Sequence, residues 1–230
     1  MLKNIFSTLV AAGGLLFSST HVQAFYRLNL GGNRSQPGGR VHILVSGYSH
    51  GMGTQFLESA VGRARRYQQL NPSVDILIYQ VNDAEVTPKA IQRLGAKILS
   101  ADDAKLTGSG LVEELQQVGV LESLDIYAHS GAHVGAGLSG AGDDERFAFD
   151  TQGLAGLKGH FSEFGFITFN GCNGGLLQGP KISQLLEIPV SGALTSSDFQ
   201  RLHQNGRWYF NNSGQYPVGS WASANNSGYA

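Results

Sequence analysis

Strand-like and helix-like segments alternate along most of the chain, and this alternation is the strongest constraint on its fold. Helical patterns begin near Thr54, Thr87, Leu111 and Pro180. Residues 76–79 are apolar without alternation, as in strands that are covered on both faces. Strands are predicted between the helices, at residues 41–46, 74–81, 124–128, 165–169 and 189–194. This order predicts an α/β fold, a three-layer αβα sandwich with a mostly parallel sheet.

Other segments carry weaker signals. Residues 25–30 predict a short edge strand, residues 96–100 a minor strand, and residues 154–161 a weak helix. The glycine-rich residues 130–150 are expected to form a loop. Asp125 alternates with the apolar residues of its predicted strand, and we expect it to be a solvated or capping group without a catalytic role.

The amino-terminal residues 1–24 have the pattern of a secretory signal peptide. Lys3 supplies a positive start, residues 5–17 form an apolar run, and small residues end the segment at Ala24. The apolar run is too short to span a bilayer. We therefore expect cleavage after Ala24, a secreted or periplasmic protein, and no stable membrane anchor.

The chain that remains after cleavage, residues 25–230, has 206 residues (230 − 24). This length suits one sizeable α/β domain, with its core at about residues 41–194 and a loop-rich part at residues 195–230. The full sequence has 16 Lys and Arg and 17 Asp and Glu, and removal of Lys3 leaves 15 basic residues (16 − 1) against 17 acidic ones. Such a near-neutral chain lacks the basic surface that binds nucleic acids, so no nucleic acid partner is expected.

The single cysteine is the strongest functional signal. Cys172 has no second cysteine with which to form a disulfide, so its thiol is either buried and inert or retained for reactivity. It closely follows the predicted strand 165–169, and His129 follows the predicted strand 124–128 in the same way. Ligands of parallel α/β sheets bind at the carboxyl ends of the strands. If these two strands are parallel neighbours, His129 and Cys172 lie side by side at that edge.

A histidine beside a thiol supports nucleophilic chemistry. The imidazole removes the thiol proton, and the thiolate then attacks a carbonyl carbon. Backbone N–H groups in the glycine-rich turns, at Ser130, Gly131 and Cys172, are candidate donors to the developing oxyanion. The pattern predicts an acyl-transfer site with His129 and Cys172 as the catalytic pair.

Two motifs resemble those of the caspase, legumain and gingipain group of cysteine peptidases. They are residues 126–131 (Ile-Tyr-Ala-His-Ser-Gly) and 166–172 (Phe-Ile-Thr-Phe-Asn-Gly-Cys), and their His and Cys are 43 residues apart (172 − 129). The resemblance extends over about residues 41–194. It implies a caspase–hemoglobinase fold, cysteine endopeptidase activity on a peptide or protein substrate, and no cofactor.

The same resemblance suggests substrate-binding residues. Asn170, two residues before the cysteine, corresponds to a position that contributes to the pocket for the residue preceding the cleaved bond. A neutral Asn170 does not by itself select a basic side chain, and Asp198 is a candidate supplement. His50, in the turn after the predicted strand 41–46, is a further candidate for the cleft. One position departs from the group, because Ser130 follows the histidine where glycine is usual.

A serine hydrolase is the main alternative interpretation. Residues 47–51, Gly-Tyr-Ser-His-Gly, match the Gly-x-Ser-x-Gly nucleophile elbow, with Ser49 as the nucleophile. In α/β-hydrolases several strands precede that elbow, whereas here only residues 25–40 lie between the signal peptide and the strand that leads to it.

Two further interpretations remain. A metal site would combine His129 and His133 with His50 or His160 and with Cys172 as a thiolate ligand. Histidines four residues apart share a face only in a helix, which the surrounding glycines disfavour, so no metal is expected. Alternatively, the chain is a non-catalytic secreted binding domain on the same fold.

Overall fold

The computed structural model describes residues 25–31, 39–140, 142–197, 221–225 and 228–229. The predicted signal peptide and Asp198 lie outside the described residues. Helices and strands follow one another in this order: β1 Phe25–Asn29, β2 Arg40–Ser46, α1 Gln55–Leu70, β3 Asp75–Val81, α2 Pro88–Arg93, β4 Lys97–Asp102, α3 Gly108–Gln117, β5 Val120–Tyr127, β6 Ser130–Gly131, β7 Gly135–Gly137, β8 Arg146–Phe147, a 3₁₀ helix Leu154–Leu157, β9 Phe161–Phe169, α4 Gln178–Leu186, β10 Val190–Ala193, β11 Trp221–Asn225 and β12 Gly228–Tyr229.

Nine of these strands form one mixed sheet in the order β12-β11-β10-β9-β5-β2-β3-β1-β4. The five central strands β3, β2, β5, β9 and β10 are parallel to one another. The flanking strands β1, β11 and β12 pair antiparallel. The mostly parallel α/β fold is confirmed. The prediction of an edge strand at residues 25–30 was wrong, because β1 pairs with both β3 and β4, and β4 lies at the edge.

Helices cover both faces of the sheet, so the three-layer sandwich is confirmed. Helices α1 and α2 pack on one face, and α3, the 3₁₀ helix and α4 pack on the other. The alternation of strand side chains separates the two cores. In β5, Leu124 and Ile126 join the core beneath α3 and α4, while Tyr127 joins the core beneath α1. No helix of the described residues is long and apolar enough to cross a bilayer.

Helix α1 illustrates how the sequence pattern produces a layer. Apolar side chains recur at helical spacing, and full burial of each larger one stabilises the fold by about 1.5–3 kcal/mol. The helix is followed by Asn71 and Pro72, which end it. The predicted apolar face is confirmed, since all of its members are buried: Phe56, Leu57, Ala60, Val61, Ala64 and Tyr67.

The glycine-rich residues 130–150, predicted as a loop, contain a small antiparallel sheet. Strands β6, β7 and β8 pair in that order. This sheet packs against the turn after β2, where the Tyr48 amide donates to the Leu138 carbonyl oxygen (2.7 Å). A Cβ atom on Gly47 would overlap the Gly137 carbonyl oxygen, so glycine permits this close approach. Strands of two or three residues are too short to produce a recognisable alternation.

The prediction of a weak helix over residues 154–161 was only partly right. A 3₁₀ helix covers residues 154–157, and Phe161 already belongs to β9. Strand β9 starts four residues earlier than predicted, and its pairing with β5 shifts register between Leu121 and Ser123. This irregularity interrupts the simple alternation that would identify a strand.

A buried polar cluster lies between β5 and α1. The expectation that Asp125 is solvated was wrong: the side chain is buried, and its Oδ2 accepts hydrogen bonds from Tyr67 Oη (2.7 Å) and Ser123 Oγ (2.9 Å). Burial raises the pKa of Asp125, although the nearby Arg63 guanidinium opposes this effect. His42 stacks on the Tyr67 ring, and burial lowers the pKa of His42 to about 4.

Candidate active site

His129 and Cys172 follow neighbouring strands at equivalent positions. Strands β5 and β9 are parallel, and Ile126 is paired with Phe169. His129 and Cys172 each come three residues after that pair (126 + 3 and 169 + 3). The Asn170 amide also donates to the Ile126 carbonyl oxygen (2.8 Å). Both loops therefore leave the sheet side by side at its carboxyl edge.

The two loops remain in contact after they leave the sheet. The Ser130 hydroxyl donates a hydrogen bond to the Cys172 carbonyl oxygen (2.6 Å). A Cβ atom on Gly171 would overlap both the Ala128 carbonyl oxygen and Ser130 Oγ. The loops thus meet through the residues adjacent to His129 and Cys172.

The His129 imidazole is exposed on one side and anchored on the other. Its Nε2 lies 2.9 Å from the Ser49 carbonyl oxygen, and its ring meets the Phe56 ring edge-on at 5.1 Å between centroids. A carbonyl oxygen only accepts hydrogen bonds, so Nε2 carries the proton. In a neutral imidazole this leaves the Nδ1 lone pair free to accept a proton. The Gly-x-Ser-x-Gly motif points to the Ser49 hydroxyl, and no sequence pattern indicates a role for the Ser49 carbonyl.

Cys172 presents a free and partly exposed thiol. The Ser197 amide donates to Cys172 Sγ (3.4 Å), and the Asn173 amide donates to the Thr195 carbonyl oxygen (2.9 Å). Asn173 has φ +57°, a left-handed conformation that asparagine tolerates better than most residues. The segment that follows β10 therefore packs against the cysteine loop.

The predicted oxyanion donors Ser130 and Gly131 form strand β6, which pairs with β7. The turn after β6 is stabilised by the buried side chain of Gln178, which lies at the start of α4. Its Nε2 donates to the Ala132 carbonyl oxygen (3.0 Å), and its Oε1 accepts from the Phe149 amide (2.8 Å). No sequence pattern indicates this role for Gln178, because its partners lie 29 and 46 residues away.

Ser49 does not have the environment of a serine nucleophile. Its side chain is 1% exposed, and its hydroxyl donates to Asp83 Oδ2 (2.6 Å). A nucleophile elbow exposes the hydroxyl and pairs it with a histidine, whereas His129 contacts only the Ser49 carbonyl oxygen. His50, in the same turn, is exposed and has φ +41°. Its turn lies at the carboxyl edge of the sheet, as expected.

Two solved structures of cysteine proteases are similar to this chain, and the first of them shares its fold. The first, a secreted C11 cysteine protease from Bacteroides thetaiotaomicron named iotapain, has a TM-score of 0.52 and 14% identity, covering 84% of this chain and 67% of its own. The chain has a C11 cysteine protease fold. A secreted C11 cysteine protease from the same organism, in complex with an irreversible peptide inhibitor, has a TM-score of 0.48 and 13% identity, covering 83% and 67%. No protein-family model and no curated protein matches the sequence.

The C11-type fold positions the remaining predicted residues in different ways. Asn170 is buried directly after β9, and its Nδ2 has no hydrogen-bond partner among the described residues. Asp198 lies outside those residues. His160 precedes β9, at the end of the strand opposite Cys172, so it does not join His129. Within the described ranges, no group of three His, Cys, Asp or Glu side chains is arranged to hold a metal ion.

Proposed function

We propose that the protein is an exported cysteine peptidase with Cys172 as nucleophile and His129 as the acid–base residue. The observation that carries the proposal is the matched register of the two residues on adjacent parallel strands, reinforced by the Ser130–Cys172 hydrogen bond between their loops. The likeness of the fold to C11 cysteine proteases supports it. The proposal extends to export through residues 1–24 and to a single domain over residues 25–230.

The first half of the proposed reaction forms an acyl-enzyme. His129 Nδ1 accepts the thiol proton, and the Cys172 thiolate attacks the peptide carbonyl carbon. Amides near Ser130, Gly131 and Cys172 stabilise the resulting oxyanion. The tetrahedral intermediate collapses to a thioester as the C–N bond breaks, and His129 donates its proton to the leaving amine.

The second half releases the acid product. His129 Nδ1 removes a proton from a water molecule, and the resulting hydroxide attacks the thioester carbonyl. The same amides stabilise the second oxyanion. When the C–S bond breaks, the thiolate of Cys172 leaves and recovers the proton from His129, while the carboxylic acid product departs.

Substrate recognition is proposed to use the residues around the cysteine loop. Asn170 is buried beside this loop with an amide group left to donate, so it suits a neutral hydrogen-bonding side chain rather than a lysine or arginine. Asp198 and His50 are proposed as further contributors to the substrate cleft.

Alkylation kinetics test the proposal cleanly because the chain has one cysteine. In the protein lacking residues 1–24, iodoacetamide should react rapidly near pH 6, since a histidine-paired thiolate persists at that pH. The rate should collapse in His129→Ala and remain unchanged in His133→Ala, which removes an exposed histidine of the same turn. Peptide-library cleavage should disappear in Cys172→Ala.

Other outcomes would favour the remaining alternatives. A slow alkylation rate that rises only above about pH 8.5 and ignores His129→Ala describes an ordinary thiol, and it would support a non-catalytic binding domain. Ester hydrolysis that persists in Cys172→Ala and is lost in Ser49→Ala would instead support a serine hydrolase.

A further inference from the structure

The turn after β2 binds the carboxylate of Asp83, a residue that has no role in the reaction proposed above. Asp83 Oδ2 accepts three hydrogen bonds, from Ser49 Oγ (2.6 Å), the Ser49 amide (3.0 Å) and the His50 amide (3.3 Å). Asp83 lies just beyond β3, the neighbour of β2 in the sheet. Asp83 and Ser49 are 34 residues apart in the sequence, so this contact could not be predicted from a local pattern.

The peptide group that joins Ser49 to His50 has a partner on each side. Its C=O accepts the hydrogen bond from His129 Nε2, and its N–H donates to Asp83. The described peptide bonds are trans, so this C=O and N–H are coplanar and point in opposite directions. Asp83 and His129 therefore bind opposite edges of the same rigid unit.

We propose that Asp83 is a positioning residue that acts on His129 through the Ser49–His50 peptide unit. The carboxylate orients the peptide plane, which aims the Ser49 carbonyl at Nε2 and keeps Nδ1 turned toward its proton-transfer partner. A carboxylate on the N–H also polarises the peptide, which strengthens the carbonyl as an acceptor. In triads the carboxylate contacts the imidazole directly, whereas here a peptide group stands between them.

Two features of the turn agree with this role. His50 has φ +41°, a conformation that is costly for a residue other than glycine unless neighbouring contacts maintain it. Partial burial raises the pKa of Asp83, but the hydrogen bonds from the Ser49 hydroxyl and from the Ser49, Glu85 and His50 amides together bring it below its usual value. Asp83 therefore stays ionised at neutral pH and continues to bind the turn.

The expected effect of Asp83 on kcat rests on the proposed function. Its effect on the orientation of the His129 ring does not, and it is tested separately through the tautomer of His129. Long-range ¹H–¹⁵N correlation of histidine rings distinguishes the two neutral tautomers, and His129→Ala assigns the signals of His129. In the wild-type protein, at a pH where the imidazole is neutral, His129 should be the Nε2–H tautomer. In Asp83→Ala it should become a mixture of both tautomers.

The kinetic arm compares kcat with KM for a cleaved peptide. Asp83→Ala should lower kcat by about 10- to 100-fold and leave KM nearly unchanged, as misorientation of a catalytic group does. Asp83→Asn keeps an acceptor oxygen and should lower kcat by a smaller factor. The control Glu163→Ala removes an exposed carboxylate at the opposite end of β9 and should match wild type.

The outcomes separate the two proposals. An Nδ1–H tautomer in wild type, or a folded Asp83→Ala protein with unchanged His129 tautomer and kcat, overturns the role of Asp83. If Asp83→Ala does not fold, an unchanged kcat in Asp83→Asn overturns it instead. If the wild-type protein cleaves no peptide, the proposed function fails, and the tautomers of wild type and Asp83→Ala still decide the positioning role.

Discussion

The Ser130 hydroxyl donates a hydrogen bond to the Cys172 carbonyl oxygen at 2.6 Å, and this bond joins the loop of the proposed base to the loop of the proposed nucleophile. In the peptidase group that its motif resembles, glycine is usual at the position of Ser130. Its hydroxyl therefore makes a contact that glycine does not provide.

Replacement of Ser130 by alanine should reduce activity more than it reduces stability. Loss of the hydrogen bond should lower the free energy of unfolding by about 1 kcal/mol and lower kcat several-fold, because the two loops lose a fixed separation. Ser139→Ala removes a similar bond, from Ser139 Oγ to the Leu106 carbonyl oxygen (2.9 Å), and serves as the matched control. Equal kcat values for the two variants, measured beside urea unfolding, would show that the Ser130 bond is only structural.

Gly171→Ala should disrupt the contact between the two loops. The added methyl group would overlap the Ala128 carbonyl oxygen and Ser130 Oγ, and relief of such overpacking costs about 1–3 kcal/mol. We expect lower stability and slower alkylation of Cys172. Gly179→Ala is the comparison, because its Cβ would lie 3.7 Å or more from its neighbours. If Gly171→Ala behaves like Gly179→Ala in both measurements, the loops are not packed as described.

Gln178→Ala should loosen the turn that follows the proposed oxyanion donors. The substitution leaves the partly buried Ala132 carbonyl and Phe149 amide without their hydrogen bonds, and each lost hydrogen bond costs about 1 kcal/mol. Hydrogen exchange should accelerate at the Phe149 amide. Gln178→Glu keeps an acceptor for that amide but has no donor for Ala132, so it should retain the Phe149 protection only. Unchanged exchange at Phe149 in Gln178→Ala would contradict the bridging role.

His42 should make stability depend on pH between about 4 and 6.5. Burial lowers its pKa from 6.5 to about 4 in the folded protein, so the unfolded chain binds the proton more readily in that interval. Stability is therefore present above pH 6.5 and is lost as the pH falls through the interval. A pKa difference of this size corresponds to about 3 kcal/mol.

The test replaces His42 by phenylalanine, which can still stack on Tyr67. Urea unfolding at pH 4.5 and pH 7 should show a smaller loss of stability for His42→Phe than for wild type. His133→Phe changes an exposed histidine and should retain the wild-type pH dependence. A loss in His42→Phe as large as in wild type would assign the pH dependence to other groups.

The sequence predicted the central sheet because its five parallel strands carry apolar runs and are separated by helices with a clear apolar face. It also predicted that His129 and Cys172 closely follow two of those strands. The position of β1 was not predictable from local pattern, because insertion between β3 and β4 depends on pairing with strands more than 45 residues away. Strands β6 to β8 were missed because each has only two or three residues.

The residues that surround the proposed dyad were less predictable than the dyad itself. Asp83 and Gln178 act on backbone groups that are distant in sequence, and neither residue type signals such contacts. Asp125 looked solvated because a carboxylate rarely lies in a core, but Tyr67 and Ser123 donate hydrogen bonds to its Oδ2, and Arg63 Nε lies 3.8 Å from its Oδ1. The Gly-x-Ser-x-Gly motif matched an elbow by pattern, yet the structure uses the Ser49 carbonyl rather than its hydroxyl.

In the proposed peptidase, the pairing of β5 with β9 also determines when the Cys172 thiol becomes reactive during folding. His129 leaves the first of these strands and Cys172 leaves the second, so a nascent chain that ends before residue 172 contains the base without the nucleophile. Even a complete chain brings them together only after its two central strands have docked, a non-local step that is slow compared with helix formation. In the proposed peptidase, proteolytic competence is thus delayed until the sheet is assembled, which protects the unfolded precursor from its own activity.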